Sequence, residues 1–242
     1  MMRIFLAGAA GAIGRRLTPL LVLTGHEVTG TTRSADKAGS LEAMCARPVV
    51  LDVFDAGALT KAVVAARPDV VIHQLTDLPS APGTPGYAEG QQRNNRLRRD
   101  GTRNLMAAAQ AAGARRVIAQ SIAFVYAPGT GPRHESDPLD LAAEGVRALT
   151  VAGVAALEKA VLGTPAATGI VLRYGYFYGP GTWNAAAPRP PSIHIDAAAH
   201  AALLALERGS GGIYNIAEDD GAVSIAKARA ELGFDPTMRL DA

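Results

Sequence analysis

Short apolar runs alternate along this chain with longer Ala- and Leu-rich stretches of helical period. The runs are RIFLAG (3–8), EVTGTTR (27–33), PVVLDV (48–53), DVVIHQL (69–75), RVIAQSI (116–122) and GIVLRYG (169–175). Between them, 12–24, 55–66, 90–112 and 144–162 read as helices. Short runs separated by helical segments point to parallel strands joined by crossover helices. The helix-to-strand links are brief and several carry Gly or Pro, as at Ala112-Gly113 and Arg67-Pro68. The fold expected is α/β, a Rossmann-like doubly wound parallel sheet.

Beyond Gly179 the texture changes. GPGTWNAAAPRPPS reads as a loop, followed by a strand SIHID, a helix near 197–207, a strand GIYNIA and a helix near 223–233. This predicts a small C-terminal α/β lobe over 175–242 that leans on the main domain, 1–174. The Pro- and Gly-rich stretch LPSAPGTPGY (78–87) is the candidate for a mobile segment over a site.

Composition narrows the function classes. The 242 residues are 48% hydrophobic and 19% charged, which argues against a disordered chain. A formal net charge of +2 is too balanced for general binding to nucleic acid or an anionic membrane. One cysteine, Cys45, excludes an internal disulfide framework and reads as a small apolar filler. The five histidines lack metal-ligand spacing, so no metal is expected. No stretch has the roughly 18 uninterrupted apolar residues of a membrane span. A cytoplasmic protein is the expectation.

The chemistry begins at Gly8-Ala9-Ala10-Gly11-Ala12-Ile13-Gly14, which follows the first strand and opens the first helix. Glycines there permit a tight turn and close backbone approach, and the helix start offers N–H groups to a pyrophosphate. The second strand ends Thr31-Thr32-Arg33-Ser34, without the carboxylate that receives a ribose 2′-hydroxyl in NAD sites. Arg33 suits a 2′-phosphate, with Arg15 or Arg16 as helpers, so NADP is favoured over NAD.

With these marks the chain resembles the extended or atypical short-chain dehydrogenase/reductases, the NAD-dependent epimerase/dehydratase family. The resemblance rests on GAAGAIG (8–14), LDV (51–53), DVVIHQL (69–75), DGTRNLMAAAQAAG (100–113), SIAFVYAPG (121–129), LRYGYFYGPGT (172–182), SIHIDAAAHAALLAL (192–206) and IYNIAED (213–219). It implies that Asp52 and Val53 lie beside the adenine and that Gln74, Leu75 and Thr76 line the cofactor ribose.

The family's chemistry uses a Ser/Thr with a Tyr-X3-Lys pair, in which the tyrosine exchanges a proton while hydride moves. Here that pattern is missing. In LTVAGVAALEKAVL (149–162), aligning Glu158 with the family's glutamate puts Thr150 at the tyrosine and Val154 at the lysine. No tyrosine in the chain is followed four residues later by lysine. Lys159 is turned about 100° from the face shared by 154 and 158. The Ser/Thr position falls on Ile122, with Ser121 one place off, and Arg98 replaces an expected asparagine.

The residues left for catalysis are Tyr176 as a relocated proton donor, with Ser121 and Thr150 orienting a carbonyl. Tyr126, Trp183 and His194 are the candidate substrate-pocket residues. The reading is an NADP-dependent oxidoreductase with a non-standard site, acting on a small substrate that is uncharged and partly apolar. The alternative is a non-catalytic NADP-binding redox sensor; a sugar-nucleotide epimerase or dehydratase ranks below both. A homodimer is an open alternative for assembly. The Arg-rich run QQRNNRLRRDGTRN (91–104) lacks interleaved aromatics and reads as a solvated helix face with some arginines near the active-site mouth, not a nucleic-acid patch.

Overall fold

The computed structural model describes residues 1–78 and 85–240. Strands β1 (Arg3–Ala7), β2 (Glu27–Thr32), β3 (Arg47–Val50), β4 (Val70–His73), β5 (Arg116–Ile122) and β6 (Thr168–Tyr174) run parallel in one sheet. β7 (Tyr176–Tyr178) and β8 (Ser192–His194) form a separate two-stranded parallel pair, and β9 (Gly212–Ile216) returns to the main sheet beside β6. The order is β3-β2-β1-β4-β5-β6-β9. Residues 175–242 therefore divide between the two sheets.

The helices are α1 (Ala12–Leu23), α2 (Ala38–Ala43), α3 (Ala56–Ala66), α4 (Tyr87–Arg96), α5 (Thr102–Ala111), α6 (Gly145–Leu162) and α7 (Ile195–Leu204). Parallel strands need crossovers, and these place helices on both faces of the sheet. In β1, Ile4 and Leu6 join the cluster under α1 and α7, whereas Phe5 and Ala7 join the cluster under α3, α5 and α6. Both faces are buried, which is why the strand reads as a continuous apolar run.

After β1 the chain builds outward through β2 and β3, then crosses back to start the other half at β4. A crevice opens where that order reverses, beyond the C-terminal ends of β1 and β4. The elements lining it come from both halves.

Several expectations change in detail. The helix predicted over 90–112 is a column of α4, one π-helical turn (Leu97–Gly101) and α5. Helix α2 was not expected; of its six residues only Leu41 is buried. The predicted strand 192–196 stops at His194 because Ile195 already begins α7. The predicted helix 223–233 shrinks to a short helical segment ending in a π turn, Ala228–Leu232. Cys45 is exposed in the turn after α2, at φ 58°, and is not an apolar filler. Most of the predicted mobile segment, 79–84, lies outside the described residues. Among the described residues, no helix is long and apolar enough to cross a membrane.

Candidate cofactor and active site

The Gly8–Gly14 turn is shaped by close approaches. Gly8 adopts φ +90°, and a Cβ there would stand 2.7 Å from the Gln74 carbonyl oxygen. A Cβ on Gly14 would run into the Gly8 and Ala9 carbonyls. Gly11 N–H donates to Gly8 O at 3.0 Å, and Gly8 N–H donates to Thr31 Oγ1 at 3.2 Å. Helix α1 then opens with no side-chain cap and no acidic residue in its first turn. Its uncapped N-terminal amides and the positive end of the helix dipole suit a phosphate.

A cleft of about 390 Å³ lies beside this turn. Of the predicted cofactor residues, Gly8, Ala10, Gly11, Arg33, Val53, Gln74, Leu75 and Thr76 line it. Ala12 is partly buried, Ile13 joins the core and Gly14 is buried in the first turn of α1. Asp52 is exposed, and its Oδ1 accepts from Phe54 N–H at 3.0 Å. Ser34, Lys37 and Phe54 also line the cleft and were not predicted. A second hollow of about 560 Å³, among Pro132, His134, Val223 and Arg229, contains none of the predicted residues.

The residues present fit a dinucleotide. Arg33 and Lys37 bring positive charge to the end of β2, where the chain carries no carboxylate on the cleft wall. Arg33 NH2 stands 3.4 Å from Asp77 Oδ1, and Arg93 reaches the same carboxylate at 3.8 Å. Gln74 Nε2 and Oε1 are buried with no hydrogen-bond partner among the described residues. A buried amide without partners has polar capacity to spare for a ligand. Of the two proposed helpers, Arg16 is committed to Asp196 at 2.6 Å, and exposed Arg15 lies beside Gly181.

Toward β5 and β6 the polar groups are already paired. Ser121 Oγ donates to Glu158 Oε1 at 2.8 Å. Arg173 Nε donates to the same oxygen at 2.8 Å, and its NH2 to Oε2 at 2.7 Å. Burial works against the Arg173 charge, but the Glu158 hydrogen bonds and carboxylate outweigh it and raise its pKa. Ser121 thus anchors a buried ion pair. Thr150, half-buried, donates to Val146 O one turn back on its own helix at 3.2 Å. Val154 is fully buried in an apolar cluster with Val125 and Val151.

Tyr176 stacks face to face on Phe124 at 4.0 Å and 8°. Its hydroxyl accepts from Arg189 NH2 at 2.6 Å, while the Arg189 guanidinium covers the ring at 4.5 Å. Tyr126 is buried and donates to Asn215 Oδ1 at 2.6 Å. His194 Nδ1 accepts from Asp196 N–H at 3.3 Å, capping α7, and burial then the Arg239 charge lower its pKa. Trp183 is 62% exposed. The structure thus gathers eight of the twelve predicted cofactor residues around one cleft, but ties Ser121, Thr150, Tyr176, Tyr126 and His194 into separate contacts.

Comparison with known proteins agrees with this geometry. A family model described as NAD(P)H-binding matches residues 8–158. A Streptomyces protein named 3-diazoavenalumate denitrifying reductase is 40% identical, over 91% of this chain and 77% of the relative. A dTDP-4-dehydrorhamnose reductase of Streptomyces griseus is 31% identical over 75% of this chain, which spans only 52% of that relative. The UDP-glucose 4-epimerase of Thermotoga maritima, solved with UDP-glucose, superposes with a TM-score of 0.80 at 17% identity, covering 98% of this chain and 94% of that one. The Bacillus cereus UDP-glucuronic acid 4-epimerase, solved with NAD, gives 0.73 at 19% identity, covering 98% and 94%. This chain belongs to the NAD(P)H-binding family and has the Rossmann-like fold of the extended short-chain dehydrogenase/reductases.

Proposed function

We propose that the protein is an NADPH-dependent reductase whose substrate accepts hydride without needing a proton from the protein. The observation that carries this reading is the helix α6 itself. The two positions expected to hold a proton donor and its lysine are Thr150, bonded to its own helix, and Val154, sealed among valines. The nearby hydroxyl of Ser121 holds Glu158, and that of Tyr176 accepts a bond from an exposed arginine. A carbonyl becomes an alkoxide on reduction and needs an acid at that moment. Neither α6 nor Ser121 supplies one, and the proton left on Tyr176 sits on a hydroxyl already held by Arg189.

An aryl diazonium group has no such requirement. With bound NADPH the nicotinamide supplies a hydride. At the ring carbon a C–H bond forms with the hydride pair, and the C–N pair departs with N2. The substrate's positive charge passes to the oxidised cofactor, and no proton enters the balance. The name of the 40% identical relative, a denitrifying reductase of a diazo compound, supports this class. The protein's own tasks are then to hold the dinucleotide at Gly8, Gly11 and the α1 amides, to hold its 2′-phosphate at Arg33 and Lys37, and to orient the ring.

The test is NADPH oxidation by the purified protein with three sets of compounds: arenediazonium salts, aldehydes and ketones, and enones. Turnover confined to the diazonium set is expected. Turnover of ketones at comparable kcat/KM would overturn the proposal. Tight NADPH binding without any turnover would favour the redox sensor.

A further inference from the structure

We propose that Arg98 is the seat of an acidic substrate group, its guanidinium receiving the carboxylate of the molecule being reduced. This rests on the reductase reading of the cleft. The column from α4 through α5 carries five arginines between 93 and 103. Arg93 reaches Asp77, Arg99 and Arg103 reach Asp100, and Arg96 lies over the Phe54 ring at 4.1 Å. Arg98 is only 8% exposed, yet it donates no hydrogen bond and has no carboxylate within 4 Å among the described residues. The most buried cation of the run is the one without a partner.

Its surroundings explain why nothing in the protein neutralises it. Glu158, the nearby carboxylate, is occupied on both oxygens by Arg173 and Ser121. Two buried cations therefore share one anion, leaving a surplus positive charge. Burial lowers the Arg98 pKa to about 10, with the Glu158 charge opposing. An uncompensated buried guanidinium is costly, so it favours an incoming anion over a neutral hydroxyl.

The position also borders the cleft. Arg98 lies in the π turn Leu97–Gly101, a local widening that often accompanies functional positions. Leu97, the residue before it, lines the cleft. A Cβ placed on Gly153 of α6 would run into the Asn95 amide and stand 3.5 Å from the Arg98 Cβ, so the column and α6 meet closely here. Two side-chain atoms beside Arg98, Asn94 Nδ2 and Asn95 Oδ1, are buried without partners among the described residues. Two polar side chains beside Arg98 in the same column thus have unmet bonding capacity. A planar guanidinium fork matches a carboxylate. A diazonium compound that also carries a carboxylate has no net charge, so Arg98 would select the acid end and leave the cationic end facing the nicotinamide.

The probe is cinnamate against methyl cinnamate, titrated calorimetrically into the protein saturated with NADPH. Cinnamate is expected to bind at least about tenfold more tightly than the ester. Arg98→Met should remove that preference while keeping NADPH affinity within about twofold. Should Arg98→Met fail to fold, Arg98→Lys replaces it: cinnamate binding should drop several-fold, again with NADPH unaffected. Equal binding of acid and ester by the unaltered protein would overturn the proposal. So would an intact preference in the variant, or an NADPH loss as large as the cinnamate loss, which would place the guanidinium on the cofactor. Binding is read without turnover, so a protein that prefers cinnamate through Arg98 but reduces nothing sinks only the reductase reading. Diazonium turnover with equal KM for acid and ester sinks only this one.

Discussion

Arg33→Ala tests cofactor choice at one side chain. Arg33 stands at the end of β2 with its side chain 56% exposed, 3.4 Å from the Asp77 carboxylate. A fork of hydrogen bonds to a phosphate contributes roughly 1.5–3 kcal/mol, and exposure to solvent puts this one at the lower end. Breaking the Asp77 contact to free the guanidinium costs at most about 1 kcal/mol, as for exposed pairs generally. The net is about 0.5–1.5 kcal/mol, so NADPH should bind roughly twofold to twelvefold more weakly to the variant. NADH lacks the 2′-phosphate and should change by less than about twofold. Fluorescence titration of both cofactors against both proteins gives the four constants. Raising the ionic strength should narrow the gap between NADPH and NADH in the unaltered protein, because the contact is exposed. Asp77→Asn should strengthen NADPH binding modestly by releasing Arg33. Equal weakening of NADPH and NADH by Arg33→Ala, or no change in either, would refute the assignment.

Other perturbations follow from the buried network. Glu158→Gln leaves Arg173, 2% exposed, without its counter-ion, and should destabilise the fold by about 3–5 kcal/mol in urea unfolding. His73 is fully buried, with Nε2 2.8 Å from Thr102 Oγ1 and Nδ1 accepting from Leu75 N–H, so it is held neutral. Burial, then the Arg98 charge, lower its pKa from 6.5 to about 4. The unfolded chain takes up this proton first as pH falls, so the contribution is complete above about pH 6.5 and lost on descent to about pH 4. That amounts to about 3 kcal/mol, and His73→Gln should flatten this part of the urea midpoint against pH. Tyr176→Phe keeps the stack on Phe124 and should keep diazonium reduction within about threefold, since no proton is asked of the hydroxyl; a loss beyond a hundredfold would return Tyr176 to catalysis.

The sheet was legible because strands buried on both faces leave continuous apolar runs, as in RIFLAG and DVVIHQL. Helix α2 was not, because a six-residue element with one buried side chain has almost no period to read. The run at 212–217 announced a strand, but not that it would pair with β6; sheet membership depends on contacts distant in sequence. The tight turn at Gly8–Gly14 was legible from its glycines and from the strand and helix on either side. Lys37 and Phe54 reach the cleft from turns following β2 and β3, and only their closeness to Arg33 and Val53 hinted at this. For Ser121, Tyr126 and His194 the sequence supplied suitable side chains, but their hydrogen-bond partners lie on other elements or depend on a local cap. Arg98 looked like one more arginine of a solvated face. Its burial depends on the π turn and on the close approach of α6 at Gly153.

The central claim is reduction by hydride with no proton donated by the protein. The most direct measurement is the origin of the new ring hydrogen when an arenediazonium carboxylate is reduced, once with nicotinamide-deuterated NADPH in ordinary water and once with unlabelled NADPH in D2O. The account predicts deuterium on the arene from the labelled cofactor alone, with one N2 released per NADPH oxidised. Deuterium arriving from D2O, or NADPH consumed without release of N2, would contradict it.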